Sequence, residues 1–104
     1  HRTIEYNYNN LENPIGCDET GQLSNGSGGY IIDDTTFRKQ AWNSIVSGES
    51  LYNNLDFSFT SGDEAGTVHS PVWTGGSQTL RTQYGILKDF IHGFDFVNME
   101  PHLP

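Results

Sequence analysis

The chain has 104 residues, of which 34% are hydrophobic and 12% aromatic, and this length fits one small domain at most. Five lysines and arginines stand against 13 aspartates and glutamates, and the formal net charge of −8 offers no basic surface to nucleic acid or to an anionic membrane. No run of about 18 apolar residues exists, so the sequence predicts no transmembrane helix. A single cysteine, Cys17, excludes an internal disulfide.

The first predicted element is a short strand in the stretch "PIGCDETG", residues 14–21. An apolar run over residues 13–19 ends in two adjacent carboxylates, Asp18 and Glu19, and a loop rich in glycine, serine and asparagine follows. Residues 1–12 lead into this strand and receive no assignment. Cys17 precedes the two acids and is interpreted as a small buried hydrophobic residue.

A helix is predicted next, over "TTFRKQAWNSIVSG". Asp34 or Thr35 is suited to cap its first turn, and Gly48 stands where a C′ glycine is expected. The apolar residues recur at helical spacing and form one face. They are Phe37, Ala41, Trp42, Ile45 and Val46.

Residues 50–59, "SLYNNLDFSF", alternate in part between apolar and polar and predict a second strand. A second long loop follows, and its proline bars a regular element there. The last predicted helix covers residues 77–93 and ends at Gly93. Its apolar positions at helical spacing are Leu80, Tyr84, Leu87 and Ile91.

The order strand, helix, strand, helix indicates βαβ units, an α/β fold and a parallel sheet. Both connections after the strands are long, whereas the turn from the first helix to the second strand, near residues 48–50, is short. This asymmetry is typical of a (β/α)8 barrel, whose active site lies in the loops after the strands. Two units alone leave two sheet edges and an apolar face uncovered, so we expect the chain to be part of something larger.

Three stretches, "PIGCDETG", "FRKQAWNSIVSGESLYNNLDFSFTSGDEAGT" and "GGSQTLRTQYGILKDFIHGFDFVNMEP", together resemble the C-terminal part of bacterial (β/α)8-barrel glycoside hydrolases. These belong to the broad superfamily of retaining glycosidases that includes cellulases and mannanases. The resemblance implies that residues 13–100 form the last two βα units of a TIM barrel, with strands seven and eight. It also implies that about six preceding units are missing and that residues 101–104 lead toward a following domain.

The same resemblance implies a retaining two-carboxylate mechanism on a poly- or oligosaccharide. Glu19, at the end of strand seven, takes the place of the nucleophile, with Asp18 in a supporting role. The partner acid comes from strand four, which is not in this chain, so we expect the isolated chain to be inactive. The predicted mechanism uses no metal or cofactor. Enzymes of this kind usually act outside the cytoplasm, which favours an extracellular or periplasmic location.

Further site residues are predicted in and after the second strand. Asn53, Asn54 and Asp56 are candidates for hydrogen bonds to sugar hydroxyls or to the carboxylates, although an Asn-Asn pair also fits a bulge or a turn. Tyr52 and Trp73 are candidates for stacking on a pyranose ring, although aromatic residues of small α/β domains more often pack in the core.

A second interpretation assigns the chain to a different class of protein. In it, the chain is a small non-catalytic α/β module or a carbohydrate-binding module, and its acids are structural. Glu19 would then cap a turn or face solvent. The barrel interpretation requires the two predicted strands to lie next to each other and to run parallel.

Overall fold

The computed structural model describes residues 10, 13–20, 27, 33–67 and 76–100. Two strands and two α-helices alternate along the chain, and a 3-10 helix follows them, which confirms the α/β class. Trp73, the segment 101–104 and most of residues 1–12 lie outside the described residues. The elements are β1 (Gly16–Thr20), α1 (Asp34–Val46), β2 (Leu51–Asn54), α2 (Gln78–His92) and the 3-10 helix Phe96–Asn98.

The two strands are adjacent and parallel, as the sequence predicts. Gly16 is in register with Leu51, and Cys17 is in register with Tyr52. The pairing continues toward the amino ends of the strands, where the backbone N–H of Ser50 donates to the carbonyl of Ile15 at 2.8 Å. Glycine is required at position 16 because a Cβ there would lie 2.7 Å from the Cβ of Leu51.

Strand β2 is shorter than the sequence predicts, since it ends at Asn54 rather than at residue 59. The chain leaves the sheet where the carboxylate of Asp56 accepts hydrogen bonds from the backbone N–H and the hydroxyl of Ser58, at 2.9 and 2.5 Å. An aspartate that bonds the N–H two residues ahead forms an Asx turn, which competes with continuation of the strand. The alternating pattern after Asn54 therefore belongs to a turn and a loop.

Helix α1 begins at Asp34, whereas a cap at Asp34 or Thr35 would have placed its first residue at position 35 or 36. Asp33 is the N-cap, and its carboxylate accepts from the backbone N–H groups of Thr35 and Thr36 at 3.0 and 3.1 Å. The prediction of Asp34 or Thr35 as the cap was wrong by one or two positions, because all of these residue types have capping side chains. The predicted C′ glycine is confirmed, since Gly48 has a φ of 99°.

Helix α2 matches its predicted bounds, with Ser77 as the N-cap and Gly93 as the C-cap. The Ser77 hydroxyl accepts from the backbone N–H of Leu80 at 2.9 Å and donates to the Asp34 carboxylate at 2.6 Å. One hydroxyl thus caps α2 and ties its first turn to the first turn of α1.

The core of the described part lies between the two helices and β2. Its buried apolar side chains are Phe37, Ala41, Leu80 and Leu87. Trp42 packs against Phe90 with ring centroids 5.1 Å apart, in agreement with its predicted packing role. Val46, the last residue of the helix, was predicted on the same apolar face but is 49% exposed.

Candidate functional site

The candidate site lies at the carboxyl edge of the sheet, where β1 ends in Asp18, Glu19 and Thr20. Parallel strands bring their carboxyl ends to the same edge, so the end of β1 meets the Asn53–Asn54 pair of β2. Asp18, Glu19 and Asn53 are all exposed. The structure therefore brings three of the predicted site residues together on an accessible edge.

An irregularity in the pairing occurs at this position. Cys17 is in register with Tyr52 and Thr20 with Asn54, so two residues of β1 oppose the single residue Asn53 of β2. The Asn53 side-chain amide spans the irregularity and donates to the backbone carbonyl of Asp18 at 2.8 Å. Such bulges redirect side chains and are frequent near active sites. The extra residue belongs to β1, and Asn53 is the single residue of β2 opposite it, so this irregularity is not a bulge of the Asn-Asn pair itself.

Tyr52 and Asn54 point to the other side of the sheet, toward the helices. The Tyr52 hydroxyl lies 3.3 Å from Gln40 Oε1, to which it donates, and its ring contacts Tyr84 edge-on at 5.9 Å between centroids. Burial raises the pKa of Tyr84 well above its ordinary value, and the neighbouring Tyr52 acts in the same direction. Asn54 shares the Tyr52 face because strand side chains alternate. These two predicted site residues therefore lie in the layer between sheet and helices.

Asp56 is engaged by an ion pair. Arg81, in the first turn of α2, donates to its carboxylate at 2.7 Å, and the two side chains are 30% and 20% exposed. Burial alone would raise the pKa of Asp56, but the hydrogen bonds from Ser58 and Arg81 outweigh it and lower the pKa. Asp56 is therefore an ionised structural group, and its carboxylate oxygens accept hydrogen bonds from Ser58 and Arg81.

Arg81 also fixes the loop that follows β2. Its guanidinium donates to the Ser58 hydroxyl at 2.7 Å and to the carbonyl of Gly66 at 2.6 Å, and it lies 4.7 Å above the ring of Phe59. The sequence analysis did not identify Arg81 or Ser58. Two signals for them exist, since Asp-x-Ser is the spacing of an Asx turn and Arg81 is the single basic residue between Lys39 and Lys88.

A groove in the described part lies away from the carboxyl edge. It is an open groove of about 630 Å³ between the C-terminal halves of the two helices, beside the start of β2. Its lining is mainly apolar and includes Ile45, Leu51, Leu87, Phe94 and Val97. None of the predicted carboxylates lines it. We place the candidate site at the carboxyl edge because chemically active groups are found there, and we interpret the groove as uncovered packing surface.

The described ranges contain no group of three or more histidine, cysteine, aspartate or glutamate side chains placed to hold a metal ion. Within the same ranges, no helix is both long enough and apolar enough to cross a membrane. Trp73, the predicted stacking residue, lies outside the described residues, and its role stays a prediction.

Comparisons of the chain with models of protein families, with curated protein sequences and with solved structures gave no match.

Proposed function

We propose that this chain supplies the last two βα units of a (β/α)8-barrel glycoside hydrolase, with Glu19 as the catalytic nucleophile. The observation that supports it most directly is the parallel pairing of β1 and β2, which gathers Asp18, Glu19 and Asn53 at the carboxyl edge. In barrel enzymes the catalytic groups come from this edge of several strands.

In the proposed reaction the ionised Glu19 carboxylate attacks the anomeric carbon of the substrate and forms a covalent glycosyl ester. A second carboxyl group, about 5 to 5.5 Å away, protonates the departing oxygen and then activates the water that releases the sugar. That second group would come from another βα unit of the protein. Asn53 anchors the end of β1 through its 2.8 Å hydrogen bond to the Asp18 carbonyl and so fixes the backbone that carries Glu19.

The uncovered surfaces of the described part support the same proposal. Among the described residues β2 pairs with β1 alone, which leaves the opposite edge of β2 open to another strand. Leu51 on that strand is 52% exposed, and the apolar groove runs beside it. In a closed barrel, a neighbouring strand and its helix would cover these surfaces, which explains why apolar side chains are placed there.

The test uses the full-length product of the gene that encodes this chain. We expect it to hydrolyse aryl β-cellobiosides or β-mannobiosides, and we expect Glu19→Gln to reduce hydrolysis to the background rate with the thermal unfolding temperature unchanged. Glu100→Gln, which alters another exposed carboxylate, is the matched control and should behave as wild type. Wild-type turnover by Glu19→Gln would remove Glu19 from the mechanism.

The alternative function, a non-catalytic carbohydrate-binding or other α/β module, also has an observation in its favour. Tyr52 and Asp56 were predicted to contact sugar, but Tyr52 donates to Gln40 and Asp56 pairs with Arg81, so their polar groups serve the fold. Oligosaccharide binding without any hydrolysis by the full-length protein would favour this alternative over the enzyme.

A further inference from the structure

Phe59 is an exposed aromatic residue that the fold holds in a defined position. It is 51% exposed and lies in the loop after β2, on the same side of the sheet as the first turn of α2. The Arg81 guanidinium covers one side of its ring at 4.7 Å from the centroid. A guanidinium above a ring is attracted by the negative charge of the ring face, which gives this contact a preferred geometry.

The guanidinium is itself fixed. It donates to the Asp56 carboxylate, to the Ser58 hydroxyl and to the carbonyl of Gly66, at 2.7, 2.7 and 2.6 Å. All three bonds are charge-assisted because the guanidinium donor is cationic, and together they restrict the guanidinium plane. Phe59 therefore packs on a support that has little freedom to move.

The segment after Phe59 is also ordered by its own contacts. Thr60 and Asp63 form a bridge, with the Asp63 N–H donating to the Thr60 carbonyl at 2.9 Å, and the Thr67 hydroxyl donates to the Asp63 carboxylate at 2.8 Å. Gly66 has a φ of +62°, and a Cβ at this position would lie 2.8 Å from Phe59 Cε1. Glycine thus lets the backbone pass close to the ring.

We propose that Phe59 is a stacking platform for a neutral sugar ring. A flat apolar face held half in solvent suits the C–H face of a pyranose, because the ring face carries partial negative charge and the C–H groups partial positive charge. Thr60, Glu64 and Thr67 lie in the same loop, are exposed, and carry hydrogen-bonding groups of the kind that bind sugar hydroxyls. The net charge of −8 disfavours an anionic ligand.

This inference rests on the proposed function in one respect, namely that the ligand of the protein is a carbohydrate. It adds a binding residue that differs from the predicted candidates Tyr52 and Trp73. Of the predicted aromatic candidates, Tyr52 is turned toward the helices, which leaves Phe59 as the exposed aromatic residue of the described loop after β2.

The experiment measures binding of cellohexaose and mannohexaose to the full-length protein by isothermal titration calorimetry, in the Glu19→Gln background so that no substrate is consumed. We expect Phe59→Ala and Phe59→Leu to weaken binding about three- to tenfold, while Phe59→Trp stays within about twofold of the parent. Phe59→Leu keeps an apolar side chain beside Arg81 but lacks the flat face of an aromatic ring. It therefore distinguishes a loss of stacking from a loss of folding.

Phe94→Ala is the matched control. Phe94 is also 51% exposed and also packs on an aromatic ring, that of Phe90 at 5.0 Å, but it follows the opposite end of α2. We expect this variant to bind as the parent does. Unchanged affinity in Phe59→Leu, or absence of binding by the parent protein, would overturn the platform. A third outcome is that the Phe59 variants lose affinity while the protein with Glu19 intact hydrolyses no glycoside. This outcome would support sugar stacking on Phe59 and refute the role of Glu19 as a nucleophile.

Discussion

The Ser77 hydroxyl donates a 2.6 Å hydrogen bond to the carboxylate of Asp34, and these two residues are 43 positions apart in the sequence. The same hydroxyl accepts from the backbone N–H of Leu80, whose side chain is fully buried. The amino ends of both helices are thereby joined directly above the core. This bond therefore fixes the start of one helix relative to the start of the other.

Substitution of Ser77 with alanine tests this connection. Ser77→Ala removes an N-cap and leaves the Asp34 carboxylate without its donor, so we expect a loss of about 1 to 2 kcal/mol in the free energy of unfolding. Ser77→Thr keeps the hydroxyl and should lose much less. Urea denaturation monitored by circular dichroism gives both values. Equal midpoints for wild type and Ser77→Ala would show that the bond contributes nothing to stability.

The Asp56–Arg81 pair predicts a dependence of stability on pH. The pKa of Asp56 is lowered from its ordinary 3.8, so the ionised form is favoured by folding. Its contribution is fully present above pH 3.8 and is lost as the pH falls through the folded pKa. We expect Asp56→Asn to cost about 1 to 3 kcal/mol at neutral pH, because Arg81 loses its charged acceptor.

At a pH well below 3.8 the difference between wild type and Asp56→Asn should shrink, because the wild-type carboxyl is then protonated as well. Unfolding free energies measured in urea at both conditions provide the comparison. Asp18→Asn, at an exposed carboxylate, is the control for the loss of one negative charge. If the difference in unfolding free energy between wild type and Asp56→Asn is the same at both pH values, the charge of Asp56 is not the source of its contribution to stability.

The helices of this fold were predictable because their signals are local. The apolar spacing identified the buried residues Phe37, Ala41, Leu80 and Leu87, although it also included the exposed Val46, and Gly48 and Gly93 marked the helix ends. The parallel pairing followed from the order of elements together with the short turn between α1 and β2. The helix signals lie within a few residues of the features that they determine, whereas the pairing of Gly16 with Leu51 followed from the order of the elements along the whole chain.

The site was less predictable because it depends on contacts between distant residues. The end of β2 is set by the Asx turn of Asp56, and this turn is held by Arg81, 25 positions away. The side to which Tyr52 and Asn54 point depends on the strand register. A polar residue at a strand end is thus a candidate for chemistry, and only tertiary contacts show whether its polar groups are available.

Glu49 is expected to change stability with pH in the direction opposite to that of Asp56. It is 8% exposed in the turn before β2, and burial raises the pKa of its carboxyl from the ordinary 4.5. The folded state therefore binds the proton more tightly than the unfolded state. The contribution of Glu49 to stability is fully present below pH 4.5 and is lost as the pH rises through the folded pKa.

We expect Glu49→Gln to be more stable than wild type at neutral pH, where the native carboxylate is charged and poorly solvated. The advantage should vanish below pH 4.5, where the wild-type side chain is neutral too. Thermal unfolding of both proteins over this range supplies the measurement, with Glu100→Gln as an exposed control. A Glu49→Gln variant that is less stable at neutral pH would mean that the carboxylate has a favourable ionic partner in the fold.

Two glycines in and before α2 are expected to respond in opposite directions to replacement by alanine. Gly85 lies inside the helix, and a Cβ there meets no atom within 4 Å, so Gly85→Ala should stabilise the protein by up to about 1 kcal/mol through helix propensity. Gly76 has a φ of +84°, and a Cβ there would overlap the carboxylate of Asp56. Gly76→Ala should therefore destabilise by about 1 to 3 kcal/mol.

Gly62→Ala separates the two causes of the Gly76 effect. Gly62 has a φ of +89° but no atom within 4 Å of its Cβ position, so its substitution reports the cost of the backbone conformation alone. We expect Gly76→Ala to lose more stability than Gly62→Ala in urea denaturation, since it also displaces Asp56 from Arg81. Equal losses at the two positions would mean that the Asp56 carboxylate moves aside without weakening the ion pair, and the loop after β2 would then be less tightly fixed than its hydrogen bonds indicate.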